Sequence, residues 1–304
     1  MKTVDYFVAE NLIRISYDDS IDILNSLPSF KDFEVELNTE KEATVNIELT
    51  FDQADIDLSK AKLLSDVSIV WGDRFKFEET KSSYITSVEN SNSSESEVWL
   101  MISDMEFKFS KIHIKKAELY DSNILSWMIM VAFGQRVLSN NTALIHSSVV
   151  ENDAYAVSFL GKSGTGKSTH SRLWTNTNKG FKLLNDDNPA VRIDGDDVFI
   201  YGTPWSGKTA CYINKKLKLM SIVRLAQAKD NKMEWKNKGV ESLLALLPSF
   251  TAIRWNQAIF SSMIGILENI IQRTTVGQLY CLPNPEAAEL CYYEIKKVNK
   301  LENE

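Results

Sequence analysis

Alternation of apolar and polar residues dominates the first 120 positions. The segments NLIRISYDD, ATVNIELTF, VSIVWGDRFKF and VWLMISDMEFKFSKIHI carry the period of two expected of half-buried strands. Acidic or Ser/Asn-rich connections separate them, and one of these, ENSNSSESE at 89–97, predicts a hairpin tip. A β-rich N-terminal domain over 1–120 follows, with no catalytic pattern inside it.

The spacing changes at Ile124. Ile124, Leu125, Met128, Ile129, Ala132 and Phe133 recur at helical intervals and predict a core helix that stops before Ser139, Asn140 and Asn141. Asp121, Ser122 and Asn123 precede it as capping residues. This helix is read as the junction that opens a second domain, 121–304. TALIHSSVV and YAVSFL, split by Glu151, Asn152 and Asp153, then predict a hairpin running into a glycine loop. Beyond it FKLLNDDNPAVRI, VFIYGTPWSGK and LKLMSIVRLA predict strands. Two helical stretches follow at about 239–248 and 256–272, then a strand near VGQLYCLP and a closing helix, PEAAELCYYEIKKV.

The glycine loop carries the chemistry. GKSGTGKS at 161–168 fits G-x-x-x-x-G-K-[ST], between an apolar strand and a helical segment. Gly161, Gly164 and Gly166 have no Cβ, so the backbone is expected to take positive φ and turn N–H groups on an anion, with Ser163 and Thr165 completing the cradle. The helix starting near Gly166 aims its positive end at the same point. Lys167 brings a charge to the β- and γ-phosphates and the Ser168 hydroxyl suits Mg²⁺. Thr169 is either a second hydroxyl at the loop or plain helix. Leu173 and Trp174 are expected to face a core, and His170 and Arg172 a solvated helix face, with a phosphate contact as the alternative for Arg172.

A triphosphate with magnesium needs carboxylates as well as a cradle. In LLNDDNPAVR, Asp186 and Asp187 end an apolar strand, and neighbouring side chains on an extended backbone point opposite ways, so the two acids can do two jobs. One would face a metal and the other the reacting hydroxyl. Downstream, YGTPWSGK offers Gly202, Trp205, Ser206 and Lys208 as contacts to substrate or phosphate.

Charge and composition narrow the partners. The net charge of −7 argues against nucleic acid, and it is uneven: 1–120 holds 13 Lys and Arg against 24 Asp and Glu, while 121–304 holds 21 against 17. The loop lies in the mildly basic part. Cys211, Cys281 and Cys291 are too few and too scattered for a disulfide framework or a metal knuckle, and are expected to be reduced thiols. The longest apolar run, ILSWMIMVAF, is too short to span a bilayer. Asp5 and Glu10 interrupt any secretory core in the first residues. No membrane partner and a cytoplasmic location are therefore expected.

SFLGKSGTGKSTHSRLW, LLNDDNPAVR and YGTPWSGK together resemble the kinase domain of HPr kinase/phosphorylase and, more distantly, the nucleotide-binding half of ATP-dependent phosphoenolpyruvate carboxykinase. The likeness covers roughly 140–220 and weakens toward the C-terminus. Its specific part is the short spacing from loop to paired aspartates. It implies an α/β P-loop kinase domain behind the β-rich one, with ATP and Mg²⁺ as cofactors. Lys167 and Ser168 would hold phosphates and metal, Asp186 would be the base that takes the acceptor hydroxyl's proton, and Asp187 the metal-linked carboxylate. His146, in ALIHSSVV, matches a histidine on the strand before the loop that lies close to the active site in those kinases. The segment after the aspartates departs from the family, reading YGTPWSGKT where an acidic, arginine-bearing stretch is usual, and the acidic N-terminal domain shows no motif of the family's regulatory domain. The expected activity is transfer of the γ-phosphoryl group to a hydroxyl acceptor, either a serine of a protein or peptide or a small molecule. A nucleotide-sensing module without chemistry and a carboxykinase-type lyase are its rivals, and assembly into a homo-oligomer stays open.

Overall fold

The computed structural model of the protein describes residues 1–301 apart from 39, 71–72, 91–97, 179 and 208. Most of the hairpin tip expected at 89–97, and Lys208, thus lie outside the described residues. The chain divides into two compact units, Met1–Val137 and Leu138–Glu304. The helix expected to open the second domain belongs to the first unit instead, so the division falls at 137/138 rather than at 120/121.

The first unit is built on one sheet. Its strands are β1 (Lys2–Val8), β2 (Asn11–Tyr17), β3 (Glu34–Val35), β4 (Val45–Thr50), β5 (Lys62–Val70), β6 (Asp73–Glu79), β7 (Ser83–Asn90), β8 (Trp99–Asp104) and β9 (Phe109–His113). They lie in the order β3-β1-β2-β4-β9-β8-β7-β6-β5. Neighbours are antiparallel except for β2 with β4 and β4 with β9. A short helix, α1 (Ile23–Ser26), follows β2. The expected helix is α2 (Ile124–Arg136), and it buries the six apolar residues whose spacing predicts it. Asn123 is its N-cap but makes no side-chain capping bond to the described residues, and the Ser122 hydroxyl donates back to the Glu118 carbonyl. Inside the sheet Asp5 is fully buried and receives both arms of the Arg14 guanidinium, at 2.8 and 2.7 Å. Such a pair is a positional lock whose half-removal would strand a charge.

The second unit holds β10 (Thr142–Leu144), β11 (Ser147–Glu151), β12 (Tyr155–Leu160), α3 (Lys167–Thr177), β13 (Lys182–Asp187), β14 (Ala190–Asp194), β15 (Asp197–Tyr201), β16 (Lys216–Gln227) and β17 (Lys232–Trp235). After them come α4 (Val240–Leu246), α5 (Gln257–Arg273), β18 (Thr275–Cys281) and α6 (Pro285–Val298). Strand order is β10-β14-β15-β16-β12-β11-β13, with β18 beside β16 and β17 beside β18. The β12–β16 and β16–β18 pairs are parallel. It is a mixed α/β arrangement, as the alternation of strand and helix signals predicts.

One face of this sheet is covered by α3 and α6. Val157, Phe159, Val223, Leu225 and Leu279 meet Trp174, Cys291 and Ile295 in a single apolar cluster. Trp174 anchors it, edge-on to Phe181 with ring centroids 5.5 Å apart. Asn256 and Asn284 cap α5 and α6 by accepting from the amides of Ile259 and Ala287. Register does the rest. Strand β11 runs antiparallel to both β12 and β13, and Ser147 lies opposite Leu160 on one side and Asp187 on the other. Leu160 in turn pairs with Arg224. The loop after Leu160, the residue before Ser147, the end of β13 and Arg224 therefore all come to the same end of the sheet, each one strand spacing of about 4.8 Å from the next.

Candidate functional site

The loop between β12 and α3 takes the shape that its glycines permit. Gly164 and Gly166 have φ of +79° and +105°, the left-handed region where an L side chain is strained. Gly161 differs from the sequence expectation, because its φ is not positive. Its bareness serves close approach, since a Cβ there would stand 3.1 Å from Cβ of Thr165. The Thr165 amide closes the turn onto the Lys162 carbonyl at 3.1 Å. Gly166 is the N-cap of α3, so the helix opens on Lys167 at the mouth of the loop. Ser163, Ser168 and Thr169 are exposed there, and Thr165 is half-buried.

Helix α3 turns three residues inward. Ser171 shares a 2.6 Å hydrogen bond with Ser148 of β11, which ties the helix to the strand that carries the site's register. Trp174 and His170 lie under it. His170, expected on a solvated face, is only 3% exposed. Its ring stands edge-on to Phe159 at 4.7 Å, its Nε2 has no hydrogen-bond partner among the described residues, and burial pushes its pKa down to about 4. The position four residues before Trp174 explains the difference, because i and i+4 share one helix face. Arg172 is exposed, as expected.

The residues singled out in the sequence meet at the loop. The Lys167 ammonium is 2.9 Å from Nε2 of His146 and 3.0 Å from the Gly161 carbonyl. Nδ1 of His146 is 3.0 Å from Oδ1 of Asp187. A charged amine offers only protons, so Nε2 accepts, Nδ1 carries the ring proton and Nδ1 donates to Asp187. Lys167, His146 and Asp187 thus form one hydrogen-bonded chain. Asp186 takes a separate partner, accepting from the Ser168 hydroxyl at 3.0 Å. The carboxylates diverge as expected for neighbours on a strand, Asp186 toward the loop hydroxyl and Asp187 toward the histidine.

Burial lowers the basicity of the Lys167 amine, while Asp187 and Asp186 oppose that effect and Arg224 reinforces it. Arg224 is a residue that the sequence reading passed over. It sits beside Leu160 at the base of the loop, partly buried, with one guanidinium nitrogen donating to the Ala245 carbonyl at 2.8 Å. The available signal was a lone cation in the apolar run SIVRLA. Asn185 was also missed. It is fully buried, and its amide donates to the Trp205 carbonyl at 3.1 Å while its oxygen accepts from the Asn188 amide, so one side chain fixes the turn that presents both aspartates.

The segment after β15 plays a structural part at two of the four expected contacts. Trp205 is buried. A Cβ on Gly202 would stand 1.9 Å from the Ile213 carbonyl, so this glycine serves a close backbone approach. Ser206 does reach the site, forming a bridge with Asp187, and the Gly207 amide donates to the Asp186 carbonyl at 2.6 Å. Cys211 lies nearby with its thiol on the Leu184 carbonyl, its pKa pushed up to about 11 by burial and then by Asp186. The three cysteines are free. No helix among the described residues is long and apolar enough to cross a membrane.

No family model matches the chain, and no curated protein does. Among solved structures there is a distant similarity to the HPr(Ser) kinase/phosphatase from Coxiella burnetii, at 11% identity and a TM-score of 0.30, covering 52% of this chain and 96% of that one.

Proposed function

We propose that Leu138–Glu304 is an ATP- and Mg²⁺-dependent kinase that moves the γ-phosphoryl group to a hydroxyl on a protein, a peptide or a small molecule. The observation that carries this reading is the pair of carboxylates at the loop mouth, held to different partners: Asp186 by Ser168, Asp187 by His146. A triphosphate fits a loop with Lys167 at the start of its helix and Arg224 at its base. Ser168 and Asp186 offer two hard oxygens 3.0 Å apart, and magnesium commonly takes one or two protein oxygens and completes its shell with water and phosphate. When bound, the ion would supply charge neutralisation at the phosphates.

That contact supports exchanging the two roles expected from the sequence. Asp186 would go to the metal with Ser168. Asp187, oriented by His146 on one oxygen and by the Asn188 amide at 2.9 Å on the other, would take the acceptor's proton. Phosphates arriving in the loop would draw Lys167 toward themselves and free Nε2 of His146 to face the acceptor, while Nδ1 keeps Asp187 oriented. Positioning and charge compensation then account for most of the rate.

The test is a pair of isosteric changes read by calorimetry with MgATP and by ATP turnover, with water or a lysate fraction as acceptor. Asp187→Asn should lower turnover by about 10²–10⁴-fold and leave affinity nearly unchanged. Asp186→Asn should weaken magnesium-dependent binding and turnover together. If both variants turn over like the parent the kinase reading fails, and if the parent shows no turnover at all a nucleotide-sensing module replaces it.

A further inference from the structure

The parallel strands β12, β16 and β18 do not end level. Leu160 closes β12 opposite Arg224, but β16 continues to Gln227, which pairs with Cys281 at the end of β18. These three residues of overhang, about 10 Å of extended chain, stand beyond the phosphate loop. Between the overhang and α3 lies a cavity of about 460 Å³, well inside the range of roughly 300–1,000 Å³ typical of small-molecule sites. The loop at 164–166 forms one wall. Leu173, Leu225, Leu282 and Pro283 are apolar lining, and His170 also contributes. Gln227 crosses the space, its amide nitrogen 3.5 Å from the Gly164 carbonyl.

This lining selects the chemistry of what can enter. No carboxylate, lysine or arginine is among the described residues that line it, and the His170 ring is neutral at pH 7 because burial disfavours its cation. An anion gains nothing there, and a flat uncharged ring gains apolar contact on the loop's own flank. A primary amide offers a donor and an acceptor side by side, which complements the amino group and adjacent ring nitrogen of adenine. Guanine can offer the amide its O6 and N1–H, but its 2-amino group then meets no carboxylate among the described lining residues and is left unpaired, at a cost adenine does not bear.

We propose that this cavity receives the base and ribose of the nucleotide, and that Gln227 sets a preference for adenine over guanine. The proposal rests on the reading of 161–168 as a phosphate loop. The two are separated by titrating MgATP, MgGTP and magnesium tripolyphosphate, which has the phosphates and no base, into the parent, Leu282→Trp and Gln227→Glu. Leu282 is 38% exposed at the rim, so a larger ring there can occlude the cavity without disturbing the core. The parent should bind MgATP about tenfold or more tighter than MgGTP and than tripolyphosphate. Leu282→Trp should bring MgATP to the tripolyphosphate level and leave tripolyphosphate as in the parent. Gln227→Glu should move the ATP-to-GTP ratio about tenfold or more toward GTP, the discrimination expected of one bidentate pair. Equal affinity of the parent for MgATP and tripolyphosphate, or unchanged nucleotide affinities in both variants, overturns the proposal while the loop reading stands. A parent that binds none of the three probes overturns both.

Discussion

His170 makes the stability of the second unit depend on pH in a way that a single substitution should erase. Its ring is buried against Phe159 and Trp174, with Nε2 unpaired, and burial depresses its pKa from 6.5 to about 4. Between those values the unfolded chain binds a proton that the folded chain refuses, so acid favours unfolding and stability rises with pH across that window. For one such site the loss is about 2 kcal/mol at pH 5 and only about 0.2 kcal/mol at pH 7. In a unit of about 150–250 residues 1 kcal/mol corresponds to about 2–4 °C in Tm, so His170 should account for roughly 4–7 °C of the fall between pH 7 and pH 5. Other groups titrate in the same range, and the comparison that isolates this one is the parent against His170→Leu. The variant also removes the unpaired nitrogen, which costs about 1–3 kcal/mol when buried, so its Tm at pH 7 should match or exceed the parent's. Thermal melts followed by circular dichroism at half-unit pH steps would show the gap between the two curves widening steadily from neutrality into acid. Parallel curves from pH 7 to pH 5 would refute the assignment of a neutral, depressed His170.

Two further outcomes follow from the loop and its surroundings. Gly166→Ala forces a Cβ into φ +105° with no atom within 4 Å to clash, so the penalty is conformational alone, about 1–2 kcal/mol, and Gly166→Asn should cost less; urea unfolding of both variants checks this. Arg224→Ala should reduce ATP turnover about tenfold or more, with Arg224→Lys failing to restore it because the planar fork is lost, and full activity in either variant would remove Arg224 from the site.

Much of the second unit was legible because its signals are local. The loop's glycines, the strand before it and the helix after it occupy one stretch of sequence, and the asparagine caps of α5 and α6 sit where the apolar spacing begins. His146 and the aspartate pair came from the resemblance and from strand alternation. What sequence could not show is register. That Ser147 lies between Leu160 and Asp187 depends on β11 being inserted between β12 and β13, a long-range choice with no local mark, and it decides which aspartate meets Ser168 and which meets His146. Arg224 was hidden for the same reason, since only strand pairing brings it to the loop. In the first unit β1 and β7 escaped notice. In β1 the three buried neighbours Val4, Asp5 and Tyr6 break the alternation, and Asp5 looks like a surface residue until Arg14 is placed against it.

The aspartates ride on β13, the terminal strand of its sheet, and meet the 206–207 segment through a bridge and an amide contact on its outer side. Lys167 and Arg224, by contrast, are rooted next to β12 and β16 in the sheet's interior. The cations therefore stand in the interior of the sheet and the carboxylates on its edge strand. Under the proposed kinase reading, a small displacement of this one edge strand would change the gap between carboxylates and cations while the β12–β16 pairing stays as it is, an arrangement that would suit acceptors of different size.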